Sequence, residues 1–214
     1  MPDPVTATLA YYDQHAAAFA AQNAALDLTP LYERFLRHLP PGGRILDAGC
    51  GTGRDCLAFA ERGYAVVGFD ASAAMVQLSR ARVGRRATLH HMPFEAVAWQ
   101  AAFDGLWCCA SLLHVPAAAF ADVAARLVAA LRPGGAWYLS FKQGAGEHWR
   151  DGRLFVDHSE ASLRATLQPL PVRIADLWTS PDLRPGRERE NWLNLVAIRT
   201  ETESIAQGRS EAGP

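Results

Sequence analysis

Apolar residues recur at a helical interval near the start of the chain. Leu9, Tyr12, Ala16 and Phe19 share one face of a segment running from Thr6 to Ala21. A second helix is predicted with Thr29 as N-cap, Pro30 at the first helical position, and Leu31, Phe35, Leu36 and Leu39 along one side. Pro40-Pro41-Gly42-Gly43 stops it. Short apolar runs then alternate with amphipathic stretches: strand 44–48, helix 54–62, strand 64–69, helix 72–82, strand 87–91 and strand 103–109. A strongly periodic helix over Ala117–Leu131 places Phe120, Val123, Leu127 and Leu131 inward, and Arg132-Pro133-Gly134-Gly135 separates it from a fifth strand at 136–141. Such alternation predicts a parallel sheet with helices on both faces. Past residue 142 the pattern changes to a helix at Ser159–Leu167 and strands at Val172–Thr179 and Trp192–Arg199, an order that suits an antiparallel pair at the sheet edge. Residues 200–214 are small and polar without periodicity, which predicts a flexible tail after a single domain over 1–199.

Composition narrows the partners. With 214 residues, half of them hydrophobic, and a formal net charge of −1, the chain reads as an ordinary globular protein with a substantial core. No global basic field exists to hold a nucleic acid backbone. The four cysteines, Cys50, Cys56, Cys108 and Cys109, show no paired C-x-x-C spacing and no secretory signal precedes them, so reduced thiols in a cytoplasmic protein are expected. No stretch reaches the length of a membrane span. The histidines lack metal-ligand spacing, since adjacent His90 and His91 on a strand face opposite sides, and no metal is expected. Among 21 basic residues, Lys142 alone is lysine.

The chemistry concentrates at residues 44–55, RILDAGCGTGRD. An apolar run ends in an acid, three glycines alternate, and a helix begins, which describes a strand, a tight turn and a helix start. The dinucleotide fingerprint G-x-G-x-x-G would need its third glycine at position 54, where this chain has Arg54. About twenty residues on, the run ending at Asp70 reads as a second strand closed by an acid. At the carboxyl edge of a parallel strand such an acid can accept hydrogen bonds from both ribose hydroxyls; the plainer alternative is that Asp70 caps the following helix.

The pattern D-x-G-x-G-x-G resembles motif I of the class I S-adenosylmethionine-dependent methyltransferases. The succession ILDAGCGTGRD, VVGFDAS, HHMPFEAV, FDGLWCCASLLHV and LRPGGAWYLSF is similar to that family in order, in particular to small bacterial tellurite-resistance-type and generic small-molecule methyltransferases. The resemblance implies a Rossmann-like, seven-stranded, mostly parallel α/β sheet with one antiparallel strand. It further implies a core over 44–199 and an N-terminal helical cap over 1–39. S-adenosylmethionine is the implied cofactor, S-adenosylhomocysteine the product, and a small molecule the methyl acceptor. The resemblance makes Asp47 an organiser of the glycine loop and sets Gly49, Cys50, Gly51 and Arg54 beside the methionine half. It sets Asp70 and Ala71 at the ribose, Met92 and Phe94 along the adenine, and Cys109 and Ser111 near the methyl group. Relatives carry an acid near position 91 for the adenine amine, whereas this chain has His91; backbone carbonyls or Glu95 are the substitutes.

Direct displacement at an activated methyl group needs positioning and exclusion of water, and a base only when the acceptor arrives protonated. His114 is the candidate base, against the alternative of a histidine buried and bonded to backbone. Lys142, at the end of the fifth strand, is either a compact charge toward substrate or a solvated strand-end lysine. On the acceptor side, Tyr11 has a freer edge than Tyr12, which lies on the apolar stripe. The segment from Arg184 to Trp192 gathers arginines able to fork onto a carboxylate or phosphate, with Trp192 for stacking; interspersed Glu188 and Glu190 favour a solvated loop instead. An RNA or protein methyltransferase of this fold, or a nucleotide-binding module without catalysis, is the competing reading. The Asp/Asn-Pro-Pro-Tyr/Phe tetrapeptide and the Pro-Cys pair of DNA-modifying enzymes are absent. A monomer or homodimer is expected.

Overall fold

The computed structural model describes residues 3–187 and 189–201; Met1, Pro2, Glu188 and nearly all of the expected tail lie outside the described residues. Helix α1 (Pro4–Asn23) starts at Asp3, whose carboxylate accepts the Thr6 amide and hydroxyl, each at 2.9 Å. Helix α2 spans Thr29–Leu36, and here the expected cap is corrected. Leu28 occupies the cap position, and the Thr29 amide is satisfied by Asp27 Oδ1 at 2.9 Å, an aspartate turn one step upstream.

Strand β1 (Arg44–Ala48), helix α3 (Arg54–Glu61), strand β2 (Ala65–Asp70), helix α4 (Ala73–Val83) and strand β3 (Ala87–His91) follow as alternating units. Ser72 caps α4, its hydroxyl accepting the Met75 amide, so the cap is Ser72 and Asp70 is left for other work. Strand β4 (Phe103–Cys108) leads through helix α5 (Ala117–Ala130) into β5 (Leu131–Lys142). The Arg132–Gly135 break lies inside β5 as a bulge: Phe103 pairs with Leu131, and pairing resumes at Gly105 with Ala136.

Two further strands, β6 (Gly146–Arg150) and β7 (Arg153–Asp157), form an antiparallel hairpin that the apolar pattern does not foretell. Its two-residue turn, Asp151-Gly152, has positive φ at both positions, 52° and 76°, as a type I′ hairpin turn requires. Helix α6 (Glu160–Leu167) begins with a reciprocal Ser159–Ser162 capping box, and β8 (Val172–Pro181) and β9 (Asn191–Arg199) close the chain.

The seven-stranded sheet runs β3-β2-β1-β4-β5-β9-β8, and β9 alone is antiparallel to its β5 neighbour while β8 pairs antiparallel with β9. This is the expected mostly parallel sheet with one reversed strand. On one face Tyr32, Phe35, Phe59, Trp107 and Tyr138 pack together, with the Trp107 and Tyr138 rings stacked at 3.9 Å. On the other face Phe120, Val123 and Leu127 of α5 and Leu163 of α6 cover Leu46, Leu106 and Leu139. Strand order reverses between β1 and β4, so the loops after these strands open onto a crevice at the sheet's carboxyl edge. The N-terminal helix lies against that edge: Thr8 Oγ1 accepts the Leu154 amide at 3.1 Å, and Asp13 accepts the Ser72 hydroxyl. Among the described residues no helix is long and apolar enough to cross a membrane.

Candidate functional site

A cavity of ≈ 360 Å³ occupies the crevice, in the size range of small-molecule sites. Its floor is the glycine loop. The Gly49 and Cys50 amides both donate to the Phe69 carbonyl at 2.9 Å, and Gly51 N–H donates to Asp70 Oδ2 at 2.8 Å. Gly49 has φ +77° and no space for a side chain, because an added Cβ would lie 2.5 Å from Ser111 Cβ. At Gly51, φ +53°, an added Cβ would meet nothing within 4 Å, so the loop backbone is open toward the cavity there. Asp70 also accepts the Ser72 amide at 2.9 Å. Burial raises its carboxyl above the ordinary value, and the backbone amides offset part of that.

Most of the sequence-predicted residues converge on this wall: Gly49, Cys50, Gly51, Arg54, Asp70, Ala71, Met92, Phe94, Cys109, Ser111 and His114 all line it, as do Tyr12, Lys142, Arg184 and Trp192. Ser111 donates to the Ala48 carbonyl at 2.7 Å, pinning the turn after β4 to the end of β1. Between Cys109 and Ser111, Ala110 sits at φ 53°, a left-handed conformation unusual for alanine, and its amide is held by Ser140 Oγ at 2.9 Å. Burial pushes the Cys109 thiol up to about 12, so it is uncharged. His91 turns away from the wall and pairs with the Ala71 carbonyl at 3.0 Å, whereas Glu95 faces the cavity.

Two expected residues stand outside the wall. Asp47 is buried beneath the loop, where its carboxylate accepts from the Cys56 thiol at 3.1 Å, while the loop amides of Gly49, Cys50 and Gly51 bond to Phe69 and Asp70. Burial and the neighbouring Asp55 charge raise the Asp47 carboxyl well above its ordinary value. Tyr11 stacks on His15 at 4.3 Å and lies 4.1 Å from the Arg153 guanidinium, outside the cavity lining, and Tyr12 is the tyrosine that faces the cavity. The apolar stripe correctly points Tyr12 inward, but inward at this turn of the helix is the cavity.

Several functional partners escaped the sequence pattern. Asp55 is buried and accepts from Tyr32 Oη at 2.7 Å, Trp107 Nε1 at 2.8 Å and both Arg54 Nε and Nη2, at 2.6 and 3.1 Å. Burial alone would raise its carboxyl, but the Arg54 charge and these donors outweigh burial and hold it below the ordinary range. At the far end Asp182 collects Lys142 Nζ at 2.5 Å, Trp192 Nε1 at 3.1 Å and the Arg184 Nε at 2.9 Å. Lys142 is thus 5% exposed and ion-paired, with Glu190 as second partner at 2.7 Å, and its ammonium sits 4.2 Å over the Trp192 ring. The solvated-lysine alternative is excluded. The expectation that Arg184 offers its fork to a ligand is corrected for the same reason, since Asp182 takes that fork.

His114 and Tyr12 meet across the chain. His114 Nδ1 lies 2.6 Å from the Leu154 carbonyl oxygen; a carbonyl only accepts, so Nδ1 carries the hydrogen. Nε2 is therefore an acceptor, and the Tyr12 hydroxyl donates to it at 2.7 Å. Burial lowers the His114 pKa to about 4 despite the Leu154 bond, with Arg153 and Arg150 adding to the depression. An unfolded histidine titrates near 6.5. As pH falls from 6.5, protons therefore bind the unfolded chain first, and stability drops until the folded group titrates near 4. The full drop from this group is about 3 kcal/mol at most. The difference in urea stability between wild type and His114→Gln should shrink steadily from pH 7 to pH 4.5; a constant difference would mean that no neutral buried imidazole contributes.

Residues 45–135 match the methyltransferase domain family. The ubiquinone biosynthesis O-methyltransferase of Idiomarina loihiensis is 32% identical over 123 residues, 55% of this chain and 49% of that protein, so the chain spans about half the length of this curated relative. Burkholderia thailandensis 1,6-didemethyltoxoflavin-N1-methyltransferase, solved with 1,6-didemethyltoxoflavin and S-adenosylhomocysteine, superposes with TM-score 0.79 at 24% identity, over 94% of this chain and 92% of that chain. The magnesium protoporphyrin IX methyltransferase of Synechocystis PCC 6803 with bound S-adenosylmethionine gives TM-score 0.61 at 21% identity, over 94% and 86%. The [4+2]-cyclase SpnF shares the fold at TM-score 0.75 and 16% identity, over 94% and 97%, so fold alone does not fix the reaction.

Proposed function

Starting from a chain that resembles the class I S-adenosylmethionine-dependent methyltransferases in its motifs and has their fold, we propose that it transfers a methyl group from S-adenosylmethionine to a small molecule. The acceptor atom is a nitrogen, oxygen, sulfur or metalloid nucleophile that attacks the methyl carbon in line with the departing sulfur. The observation that carries this reading is the pairing of Asp70 with an open glycine turn. The Asp70 carboxylate fixes Gly51 N–H with one oxygen, lines the cavity at the end of β2, and leaves Ser72 to cap the next helix.

When bound, the cofactor supplies a methyl group already activated as a sulfonium. Everything else falls to the chain. Asp70 would hold the ribose hydroxyls, the backbone of Gly49 to Gly51 would receive the methionine end, and Met92, Phe94 and Glu95 would form the adenine side of the wall, all of them lining the cavity. Cys109, Ala110 and Ser111 shape the opposite wall, where strain at Ala110 is held by Ser140. Helix α1 covers the crevice and keeps water from it.

Tyr12 and His114 handle the proton. An oxygen nucleophile becomes strongly acidic as its new bond to carbon forms, so a base titrating near 4 suffices to take its proton. The acceptor's proton goes to Tyr12 Oη as the Tyr12 proton passes to His114 Nε2. The Leu154 carbonyl holds the opposite nitrogen and steadies the imidazolium so formed. Tyr12→Phe should then lower turnover by about a hundredfold, within the range of general-base contributions, while affinity for S-adenosylhomocysteine stays unchanged. Equal loss of both would make Tyr12 a packing residue.

Calorimetric titration with S-adenosylhomocysteine, with NAD in parallel, tests the reading at its root. Saturable binding of the former alone supports it and leads to acceptor screening with labelled donor. Preference for NAD, or no binding of either, would remove it.

A further inference from the structure

We propose that Arg153 recognises an oxyanion, a carboxylate or phosphate, on a flat aromatic methyl acceptor. The inference rests on the methyltransferase reading and names the acceptor class for that site. Arg153 opens β7 and lines the cavity, yet it is only 7% exposed. Three other cations of the wall are committed to close ion pairs. Arg54 is bound to Asp55, Lys142 to Asp182 and Glu190, and Arg184 to Asp182; Arg150 and Arg187 each approach Glu190 at 3.6 Å.

Arg153 has no comparable partner among the described residues. Its nearest carboxylate is Asp151 at 3.6 Å, whose side chain is 61% exposed and so largely screened by water. Its one hydrogen bond runs from Nη1 to Tyr12 Oη at a long 3.5 Å, and its Nε finds none. A buried guanidinium left this way is costly, and a planar oxyanion meeting its fork would repay the desolvation. The geometry also selects the body of the ligand. Tyr12 and Phe155 line the cavity beside it, their ring centroids 5.6 and 5.1 Å from its guanidinium carbon, and aromatic rings at that place suit a flat aromatic body. The Tyr12 hydroxyl that Arg153 touches is the same one that bonds His114, so an oxyanion held here lies beside the proton-handling pair.

The test is calorimetric titration of the full chain, saturated with S-adenosylhomocysteine, by benzoate, phenyl phosphate and the neutral isostere benzamide. One or both oxyanions should bind at least ten times more tightly than benzamide, and which of them does distinguishes carboxylate from phosphate. Arg153→Met should abolish that preference with S-adenosylhomocysteine affinity unchanged. Arg153→Lys, which keeps the charge and loses the fork, should retain a reduced preference; it decides the matter if the methionine variant melts. Equal binding of benzamide, no binding of either oxyanion by wild type, a preference that survives in Arg153→Met, or one undiminished in Arg153→Lys would overturn the proposal. Failure of S-adenosylhomocysteine to bind wild type would instead strike the methyltransferase reading, and the oxyanion titrations would then be run on the protein alone.

Discussion

Asp55→Ala is expected to cost about 3–5 kcal/mol of folding stability, the range for stripping one partner from a buried, hydrogen-bonded charge. The carboxylate is the common acceptor for the Tyr32 hydroxyl, the Trp107 indole and the Arg54 guanidinium, and all three are left without a counterpart when it goes. Domains of this kind are stable by only about 5–15 kcal/mol, so the variant should sit near the edge of folding. Asp55→Asn is expected to recover little. One amide oxygen replaces two carboxylate oxygens, and the new NH₂ faces donors. Urea unfolding followed by near-ultraviolet dichroism measures both variants, and a loss under about 1 kcal/mol for alanine would show that the network contributes no more than an exposed pair.

Asp70→Ala is expected to weaken S-adenosylhomocysteine binding at least thirtyfold, about 2 kcal/mol or more, while changing stability far less. Hydrogen bonds from a ligand to a charged group contribute about 1.5–3 kcal/mol each. The variant loses the ribose acceptor and frees the Gly51 amide that Asp70 now holds at 2.8 Å. Because burial raises the Asp70 carboxyl, binding should also weaken as pH falls through that raised value, and this acid limb should vanish in Asp70→Asn. Calorimetry across pH reads both effects. An Asp70→Ala protein that binds as wild type does would remove Asp70 from the ribose.

What the chain discloses in advance follows the range of the forces involved. Strands β1 and β3 end where the pattern places them because glycine or proline punctuates the chain at those points. The glycine loop and Asp70 are legible for a similar reason, being local backbone geometry joined to a fixed spacing. Hairpin β6–β7 is hidden from an apolar reading because β6 is polar and half exposed. The dipeptide Asp151-Gly152 was its signal, a type I′ turn flanked by strand-compatible residues. Partners distant in sequence carry no such mark. Nothing in residues near Tyr32 announces Asp55, 23 positions on, or near Lys142 announces Asp182, 40 positions on. Arg184 reads as a ligand fork from the sequence because nothing there shows that Asp182 occupies it.

Helix α1 is anchored to groups made much later in the chain. Its Thr8 meets Leu154 across 146 positions, its Tyr12 meets His114 across 102, and its Asp13 meets Ser72 across 59. At about 5–20 residues per second of synthesis, Thr8 waits roughly 7–30 s for Leu154 to exist. The sheet around β1, β2 and β4 can assemble during that interval, so α1 docks onto a sheet that lacks its β9–β8 edge. The crevice is therefore roofed after its floor is in place. The same order, reversed, would make α1 the first element to exchange its amide hydrogens from the native state, giving small molecules a way in without disturbing the sheet.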